Sequence, residues 1–311
     1  QYKIQMRIGR NNGNIYINER RGSGWFASLD GRVILDGPAI LRGAFYQFEN
    51  FKLDTVAHEV LNTHKDIEST GHEKVAEIER RFHNDKEALA KYNLMDCILV
   101  TDIFEKLNII DLLLTRVEIS GMLLDRIGVS TAAFDHFFLP QFHRKGFVAS
   151  NILDINREGQ AAGGYVLEPK VGLHEHVIVV DFKSLYPTII NTFKIDPLSN
   201  LLKDVDPLTT PSGHQFSRTE HILPDFIEAL LAKRKIAKDQ QNTHLSQAIK
   251  ILMNSFYGVM GSGGSRFYNS DLPSAITETG QWILRQTIDH LTKEGYQVLY
   301  GDTDSIFYKL K

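Results

Sequence analysis

The end of the chain predicts a β-hairpin, and this element limits the fold because two strands joined by a tight turn must lie antiparallel. Two short apolar and aromatic segments, residues 296–300 and 305–308, flank the turn Gly-Asp-Thr-Asp at residues 301–304. Glycine and aspartate are ordinary turn residues, so the turn alone is compatible with a surface hairpin. Its apolar flanks instead favour a hairpin that packs against a core and presents two carboxylates, Asp302 and Asp304, at its tip.

A third carboxylate follows another predicted strand. Residues 177–180 are apolar and lead into Asp181, so partial burial of this carboxylate is expected. An aspartate at the end of a strand is most often a cap for a helix or a turn, and the residues alone leave that alternative open. If Asp181, Asp302 and Asp304 lie together they repel each other, and divalent cations relieve the repulsion. A site of oxygen donors without histidine or cysteine suits magnesium or manganese better than zinc.

Two helices are predicted between these carboxylates in the chain. They cover residues 224–241 and 245–257, and the short polar break at 242–244 predicts an antiparallel helix pair. The first helix is basic, and its Arg234 and Lys238 lie one turn apart on the same face. A solvated basic face is the usual explanation of such a run, and it stays an alternative at this level.

The second helix of the pair has one polar face and one apolar face. Lys250, Asn254 and Tyr257 recur at helical spacing on the polar face. A lysine, an amide and an aromatic ring on one face do not form a core pattern. They offer a ligand for phosphate, a hydrogen-bonding group and a stacking surface, which together suit a nucleotide. The chain is expected to leave the helix at residues 258–264, which are rich in glycine.

The rest of the chain predicts mixed α and β structure. Short strands are expected at residues 13–17 and 32–36. The small residues before Tyr165 predict a joint between domains. One predicted helix is expected to end near Pro140, because proline interrupts a helix. The predicted helices cover residues 73–82, 86–107, 130–141, 188–193 and 272–294.

Composition limits the class of protein. The net charge of −3 argues against a chain whose whole surface grips nucleic acid, so any basic binding groups are local. One cysteine excludes an internal disulfide and a thiolate zinc site. No apolar run approaches the about 20 residues that span a membrane, and no signal peptide is recognisable. The chain begins with Gln1 and ends in a predicted strand without a turn, so it is expected to be part of a longer protein.

Three segments resemble sequence motifs of the family B DNA polymerases. Residues 181–190 resemble motif A, residues 250–258 resemble motif B, and residues 300–305 match motif C. The three motifs occur in the family's order, and the resemblance covers nearly the whole chain, with bacterial members the most similar. The Gly-Gly-Tyr segment at 163–165 resembles the joint between the nuclease and polymerase parts, and residues 92–96 resemble the third exonuclease motif.

The resemblance implies a multidomain fold of the α/β and α+β classes. A partial RNase H-like exonuclease domain would precede a polymerase palm with an antiparallel sheet, and a helical hairpin, the fingers, would interrupt the palm. A thumb is expected after residue 311, and two further exonuclease motifs before residue 1. The expected segments are 1–115 for the C-terminal part of the 3′–5′ exonuclease domain, 116–175 for connecting helices and the joint, 176–210 and 261–311 for the palm, and 211–260 for the fingers.

The resemblance also assigns catalytic and metal-binding roles. Asp181 and Asp304 would bridge two Mg²⁺ ions, with Mn²⁺ as an alternative. The main-chain carbonyl of Phe182 would complete the coordination shell of one ion, and Asp302 would support the site less directly. These assignments follow from the positions that match the family's motifs.

The same resemblance implies that an incoming deoxynucleoside triphosphate binds between motif A and the basic helices. Tyr186 would lie under the sugar and exclude a 2′-hydroxyl group. Phosphates would be bound by basic side chains and main-chain amides, and the new base pair would lie over an aromatic floor. These groups would belong to Ser184, Leu185, Arg234, Lys238, Lys250, Asn254, Tyr257 and Gly258.

The implied function is template-directed DNA synthesis by two-metal transfer of a nucleotide from a dNTP to the 3′-hydroxyl of a primer. Proofreading by a 3′–5′ exonuclease, to which Tyr92 and Asp96 would contribute, would belong to the full-length protein. The present chain alone is expected to be inactive or weakly active. Two alternatives remain, a non-catalytic polymerase-like scaffold and a two-metal nuclease.

The implied partners are primer–template DNA, dNTPs and, through a C-terminal region, a sliding clamp. No membrane association is expected. The implied location is the bacterial cytoplasm at the nucleoid, with a role in DNA replication or DNA repair.

Overall fold

The computed structural model describes residues 6–20, 24–64, 71–126, 129–156, 163–202 and 204–310. The chain divides into two compact units, one formed by Gln1–Glu118 and Leu123–Gly128 and the other by Ile119–Met122 and Val129–Lys311. The architecture is mixed α and β with antiparallel sheets, which confirms the predicted fold class. The finer division into exonuclease, palm and fingers segments stays a prediction. In the described ranges, no helix is both long and apolar enough to cross a membrane.

The first unit begins with a β-hairpin and continues as helices. Strands β1 (Ile15–Arg20) and β2 (Gly24–Leu29) pair antiparallel. The helices are α1 (Gly37–Gly43), α2 (Leu53–Leu61), α3 (Gly71–Asn84), α4 (Lys86–Lys106) and α5 (Ile109–Ser120). Their apolar faces enclose a core that includes Val56, Leu99, Ile103 and Leu113. The predicted helices at 73–82 and 86–107 correspond to α3 and α4.

One strand predicted in this unit is wrong. In the segment 32–36, only Arg32 takes part in β-pairing, as an isolated bridge. The segment instead leads into α1. The Asp36 carboxylate caps this helix by accepting a hydrogen bond from the Ala39 N–H at 3.2 Å, and Pro38 lies in its first turn. Capping and proline at a helix start outweigh the strand preference of a short apolar run.

The second unit combines a four-stranded sheet with long helices. Its helices are α6 (Ser130–Arg144), α7 (Leu185–Phe193), α8 (Pro197–Leu201), α9 (Leu223–Asp239), α10 (Thr243–Met260) and α11 (Asp271–Lys293). Its strands are β3 (Val166–Leu167), β4 (Val177–Asp181), β5 (Leu208–Thr209), β6 (Gln215–Phe216), β7 (Gln297–Asp302) and β8 (Ser305–Lys309). The sheet has the order β3-β7-β8-β4 with antiparallel neighbours, and β5 and β6 form a separate hairpin.

The β7–β8 hairpin packs against α11. Val298 and Ile306 of the hairpin form a buried cluster with Leu284 of the helix, and Ile288 covers the cluster. The prediction of a hairpin packed on a core is therefore confirmed. Among the residues that the structure describes, β4 pairs only with β8, so it is an edge strand of the sheet.

Helix α6 does not end near Pro140 as predicted, but continues to Arg144. Proline lacks the N–H group that would bond to the preceding turn, which normally weakens a helix. Phe142 is buried in the main core, so tertiary packing stabilises the last turn.

Helices α9 and α10 are the predicted helix pair. Residues 240–242 connect them, and the Asn242 side chain caps α10 by accepting a hydrogen bond from the Leu245 N–H at 3.0 Å. Helix α10 ends at Met260, within the glycine-rich segment 258–264 where the chain was predicted to leave the helix, although three residues after the predicted helix end at Tyr257. The Met260 side chain is fully buried, and this packing holds the final turn in helical conformation.

The two faces of α10 are as predicted. Ala248, Leu252 and Phe256 are buried in the core. Lys250 and Asn254 are exposed on the opposite face. The helix therefore buries its apolar face and leaves its polar face available to a ligand.

Candidate active site

The end of β4 and the turn of the β7–β8 hairpin meet at one edge of the sheet. In the strand register Asp181 lies opposite Ser305, and Ser305 lies opposite Asp302. Only Thr303 and Asp304 connect β7 with β8, so the turn is tighter than predicted. The three carboxylates predicted to act together are thus carried by paired strands and the turn between them.

A main-chain hydrogen bond joins the strand end to the turn. The Phe182 N–H donates to the Asp304 carbonyl oxygen at 2.8 Å. Asp181 is exposed rather than partly buried as predicted, because the edge strand β4 is covered on one side only.

Burial raises the pKa of Asp304, the carboxylates of Asp181 and Asp302 raise it further, and Lys250 opposes the rise. The upward pKa shift therefore reflects burial first and the neighbouring negative charges second.

Asp302 is held by the turn itself. Its carboxylate accepts hydrogen bonds from the Thr303 hydroxyl at 2.9 Å and the Tyr300 hydroxyl at 3.3 Å. Thr303 has a φ of 53°, and its N–H donates to the Tyr165 carbonyl at 2.9 Å. A Cβ on Gly164 would overlap the Thr303 hydroxyl oxygen. The segment before Tyr165 can therefore approach the β7–β8 turn this closely only because residue 164 is glycine. Because each oxygen of Asp302 has a partner, this carboxylate is suited to the indirect role predicted for it.

Behind this edge lies a cavity of about 470 Å³. The predicted site residues in its lining are Asp181, Phe182, Ser184, Leu185, Tyr186, Arg234, Lys238, Lys250, Asn254, Tyr257 and Asp304. Two residues predicted for the site, Gly258 and Asp302, do not line it. The lining also includes residues that were not predicted for the site, namely Lys183, Pro187, Ile190, Met253 and Thr303. One cavity therefore unites residues that are far apart in the chain.

Tyr186 contributes an aromatic surface to the cavity. It lies in the first turn of α7, between Ser184, whose φ is 54°, and Pro187. Its ring lies 4.8 Å from the Tyr257 ring, centroid to centroid, with an angle of 46° between the planes. Burial raises the pKa of Tyr186 to about 12, and Tyr257 and the carboxylates of the turn contribute. The hydroxyl therefore stays neutral at ordinary pH, and the ring presents an uncharged surface.

Basic groups from α9 and α10 line another part of the cavity. Arg234 Nη1 donates to the Ser184 hydroxyl oxygen at 3.2 Å, which connects α9 with the start of α7. Burial lowers the pKa of Arg234, but a guanidinium remains charged in proteins. Within the described ranges, the buried Arg234 Nε–H has no hydrogen-bond partner. Lys238 and Lys250 add two further positive charges to the lining.

The two predicted exonuclease residues lie in the other unit. Tyr92 and Asp96 are one turn apart on α4, and both are partly buried. The Lys74 ammonium lies 5.8 Å from the centre of the Tyr92 ring. Their part in proofreading stays a prediction.

Asp196 has a structural role that was not predicted from the sequence, since it accepts hydrogen bonds at the starts of two helices. Its carboxylate is fully buried and accepts N–H groups of Ser199 at 2.6 Å, Ile222 at 2.5 Å and Leu223 at 3.0 Å. It therefore caps α8 and the start of α9 together. Burial raises the pKa of Asp196, and these N–H donors oppose the rise. The Asp-Pro-Leu-Ser sequence is a helix-start signature that could have predicted the first cap, but nothing local predicts the second.

Comparison with known proteins gives consistent matches. The sequence profile of DNA polymerase family B matches residues 128–311. DNA polymerase II of Escherichia coli (strain K12) is 43% identical over 318 aligned positions, which cover 100% of this chain and 40% of that protein. A protein named DNA polymerase from Thermococcus sp. (strain 9oN-7) is 28% identical over 97% of this chain and 41% of its own length. The chain thus spans about two-fifths of the length of these relatives.

A solved structure matches as well. The family B DNA polymerase from the hyperthermophilic archaeon Pyrobaculum calidifontis superposes with a TM-score of 0.74 and 25% sequence identity. The superposition covers 99% of this chain and 42% of that chain. The profile match covers more than half of the chain and includes every residue that lines the cavity. The chain therefore belongs to DNA polymerase family B.

Proposed function

We propose that the full-length protein carries out template-directed DNA synthesis, in which a deoxynucleotide from a dNTP is added to the 3′-hydroxyl of a primer. The observation that carries this proposal is the composition of the cavity. It has carboxylates from β4 and the hairpin turn, basic side chains from α9 and α10, and the rings of Tyr186 and Tyr257. The basic side chains suit a triphosphate, and the rings suit a sugar and a base. The carboxylates suit the divalent ions that accompany a triphosphate.

The candidate metal ligands fit magnesium. They are the carboxylates of Asp181 and Asp304 and the main-chain carbonyl of Phe182, all hard oxygen donors of the kind that Mg²⁺ prefers, with Mn²⁺ as an alternative. Among the described residues, no three His, Cys, Asp or Glu side chains converge to hold a metal ion. Two carboxylates would therefore supply the side-chain ligands, since Thr303 and Tyr300 already engage Asp302. When bound, two such ions would favour deprotonation of the primer hydroxyl and neutralise charge on the leaving pyrophosphate.

The basic residues would act on the triphosphate. Charge on the phosphate oxygens shifts toward the leaving group in the transition state, so cations placed there stabilise it more than the ground state. Such cations line the cavity at Arg234, Lys238 and Lys250. Main-chain N–H groups of Ser184 and Leu185 are at the beginning of α7, where a helix favours anions.

The aromatic residues would define where the sugar and base lie. Tyr257 on α10 would lie beneath the new base pair, with Gly258 beside it and Asn254 one turn earlier on the helix. Tyr186 would lie under the sugar. A ring in that position leaves room for hydrogen at the 2′ carbon but not for a hydroxyl group, so the site would select deoxynucleotides.

The full-length protein would also bind primer–template DNA and proofread its product. Tyr92 and Asp96 would contribute to that 3′–5′ exonuclease. Replication or repair synthesis in the bacterial cytoplasm, at the nucleoid and with a sliding clamp, is the setting that this activity implies.

Two other functions make different demands on the cavity. A two-metal nuclease would use Asp181 and Asp304, but it would have no use for the aromatic pair and the cluster of cations. A non-catalytic scaffold would need neither carboxylate. The presence of all these groups in one cavity favours synthesis.

Primer extension by the purified full-length protein tests the proposal. A labelled primer annealed to a longer template is incubated with dNTPs, with and without Mg²⁺. Extension that needs template, dNTPs and metal is expected from the wild type and from Asp206→Ala, whose carboxylate is 87% exposed, but not from Asp304→Ala. Degradation of DNA without extension would indicate the nuclease, and DNA binding with neither reaction would indicate the scaffold.

A further inference from the structure

Gly280 lies in the interior of α11 and is buried. Its backbone is helical, and it has no positive φ that would call for glycine. Glycine in a helix interior is less favourable than alanine by roughly 1 kcal/mol. Neither the backbone conformation nor helix propensity calls for glycine at this position, so an effect of residue 280 on function has to act through its neighbours.

The neighbours belong to motif A. A Cβ on Gly280 would lie 3.4 Å from Tyr186 Cε1, 3.5 Å from Leu185 Cδ2 and 3.8 Å from Ile189 Cδ1. These are ordinary van der Waals distances, so a methyl group fills the space without overlap. A larger side chain has to displace something, and Leu185 and Ile189 are themselves buried in the core.

Gly280 adjoins the Tyr186 ring from outside the lining of the cavity. Tyr186 lines the cavity and Gly280 does not, although the two are in near contact. The ring also lies against Tyr257, which lines the same cavity from α10. A group that grows from position 280 therefore pushes the Tyr186 ring toward the space that the cavity offers a ligand.

We propose that Gly280 is a specificity-determining residue that sets how far the Tyr186 ring projects toward the sugar of the incoming nucleotide. This role presupposes the DNA synthesis proposed above. Gly280 touches no substrate itself and acts through Tyr186. A β-branched side chain at 280 moves the ring forward, which crowds a deoxyribose and excludes a ribose more strongly.

The test uses the full-length protein and four variants, Gly280→Ala, Gly280→Val, Tyr186→Ala and the double variant Tyr186→Ala/Gly280→Val. For each, kcat and KM are measured with a matched dNTP and the corresponding rNTP. Gly280→Ala should keep the wild-type preference for dNTP or strengthen it. Gly280→Val should raise KM for dNTP by roughly tenfold, as expected when a pocket loses the space of a methylene group, and should lower rNTP use further.

Variants made in the Tyr186→Ala background distinguish an effect on the position of the Tyr186 ring from a general packing defect in α11. Tyr186→Ala should admit the rNTP, and Gly280→Val should then leave the dNTP-to-rNTP ratio unchanged because there is no ring to move. Leu291→Ala, which loosens α11 against a different cluster, should lower the melting temperature without changing the ratio. Where the valine variant does not melt cooperatively, Gly280→Ser provides the same comparison with a smaller side chain.

An equal loss with both nucleotides in the Gly280 variants, repeated in the Tyr186→Ala background, would overturn the proposal. So would a weaker preference for dNTP in Gly280→Ala. An enzyme that extends primers with a ratio insensitive to residue 280 refutes this inference alone. A wild-type protein that extends no primer refutes the proposed function, and this inference with it.

Discussion

Phe182 and Asp304 are joined by a main-chain hydrogen bond of 2.8 Å from the Phe182 N–H to the Asp304 carbonyl oxygen. The bond continues the pairing of β4 with β8 beyond the last paired residues, Asp181 and Ser305. Motif A and motif C are therefore held together by their backbones. The carboxylates of Asp181 and Asp304 do not have to rely on a bound ion to bring their strands together.

Asp304→Ala should reduce the rate of single-turnover nucleotide incorporation by the full-length protein at least tenfold. Each tenfold loss corresponds to an increase of about 1.4 kcal/mol in the activation free energy. A metal ligand contributes several kcal/mol to transition-state stabilisation, while the main-chain bond to Phe182 remains intact. Affinity for primer–template DNA should change little. Incorporation above a tenth of the wild-type rate would contradict the metal-binding role, and Asp206→Ala is the matched control.

Lys250→Ala should lower kcat/KM for the dNTP about ten- to a hundredfold, the range expected for a charged hydrogen bond that strengthens in the transition state. DNA affinity and its dependence on salt should stay near the wild-type values. Lys235→Ala is the control, because Lys235 is exposed on α9 and does not line the cavity. If Lys250 instead binds the template backbone, the salt dependence of DNA binding will change and the dNTP dependence will not.

Gly164→Ala should lower both stability and the rate of synthesis. Its methyl group would overlap the Thr303 hydroxyl, which donates to Asp302, so the turn has to shift at a cost of about 1–3 kcal/mol. Gly163→Ala is the matched control, since a Cβ there meets nothing within 4 Å. Thermal melting and single-turnover incorporation measure the two effects. Identical behaviour of the two variants would show that the Gly164–Thr303 approach is unimportant.

Asp196→Asn should reduce the free energy of unfolding by about 2–3 kcal/mol. Both carboxylate oxygens accept main-chain N–H groups, so the amide NH₂ of asparagine must face a donor in either orientation. Asp206→Asn changes an exposed side chain and should have an effect below about 0.5 kcal/mol. Denaturant titration provides both values, and an equal effect of the two substitutions would contradict the double-cap interpretation.

Local patterns predicted the parts of the site that lie within one element. Lys250 and Asn254 project from one face of α10 because helical periodicity alone determines which face a residue occupies. The burial of Asp181 was predicted wrongly, because exposure depends on whether another strand covers β4. Pro140 does not end α6 as its sequence predicts, because the packing that overrides proline involves residues distant in sequence.

Contacts between distant segments could not be read from spacing. Arg234 and Ser184 are 50 residues apart, and their hydrogen bond depends on how α9 packs on α7. Ser184 also has a left-handed backbone, which is uncommon for a residue other than glycine and has no local sequence signal here. The contact of Gly280 with Tyr186 is of the same kind. A glycine inside a helix indicates by itself only lower helix stability, and its neighbour across the helix interface cannot be read from the sequence.

The double cap at Asp196 also has a mechanical consequence. It fixes one end of α9, and Arg234 lies about 16 Å further along the helix axis at about 1.5 Å per residue. If α9 rotates about its capped end, a rotation of about 10° moves Arg234 by about 3 Å. That displacement is comparable with the 3.2 Å separation of Arg234 and Ser184, so a small tilt of the helix suffices to make or break their contact.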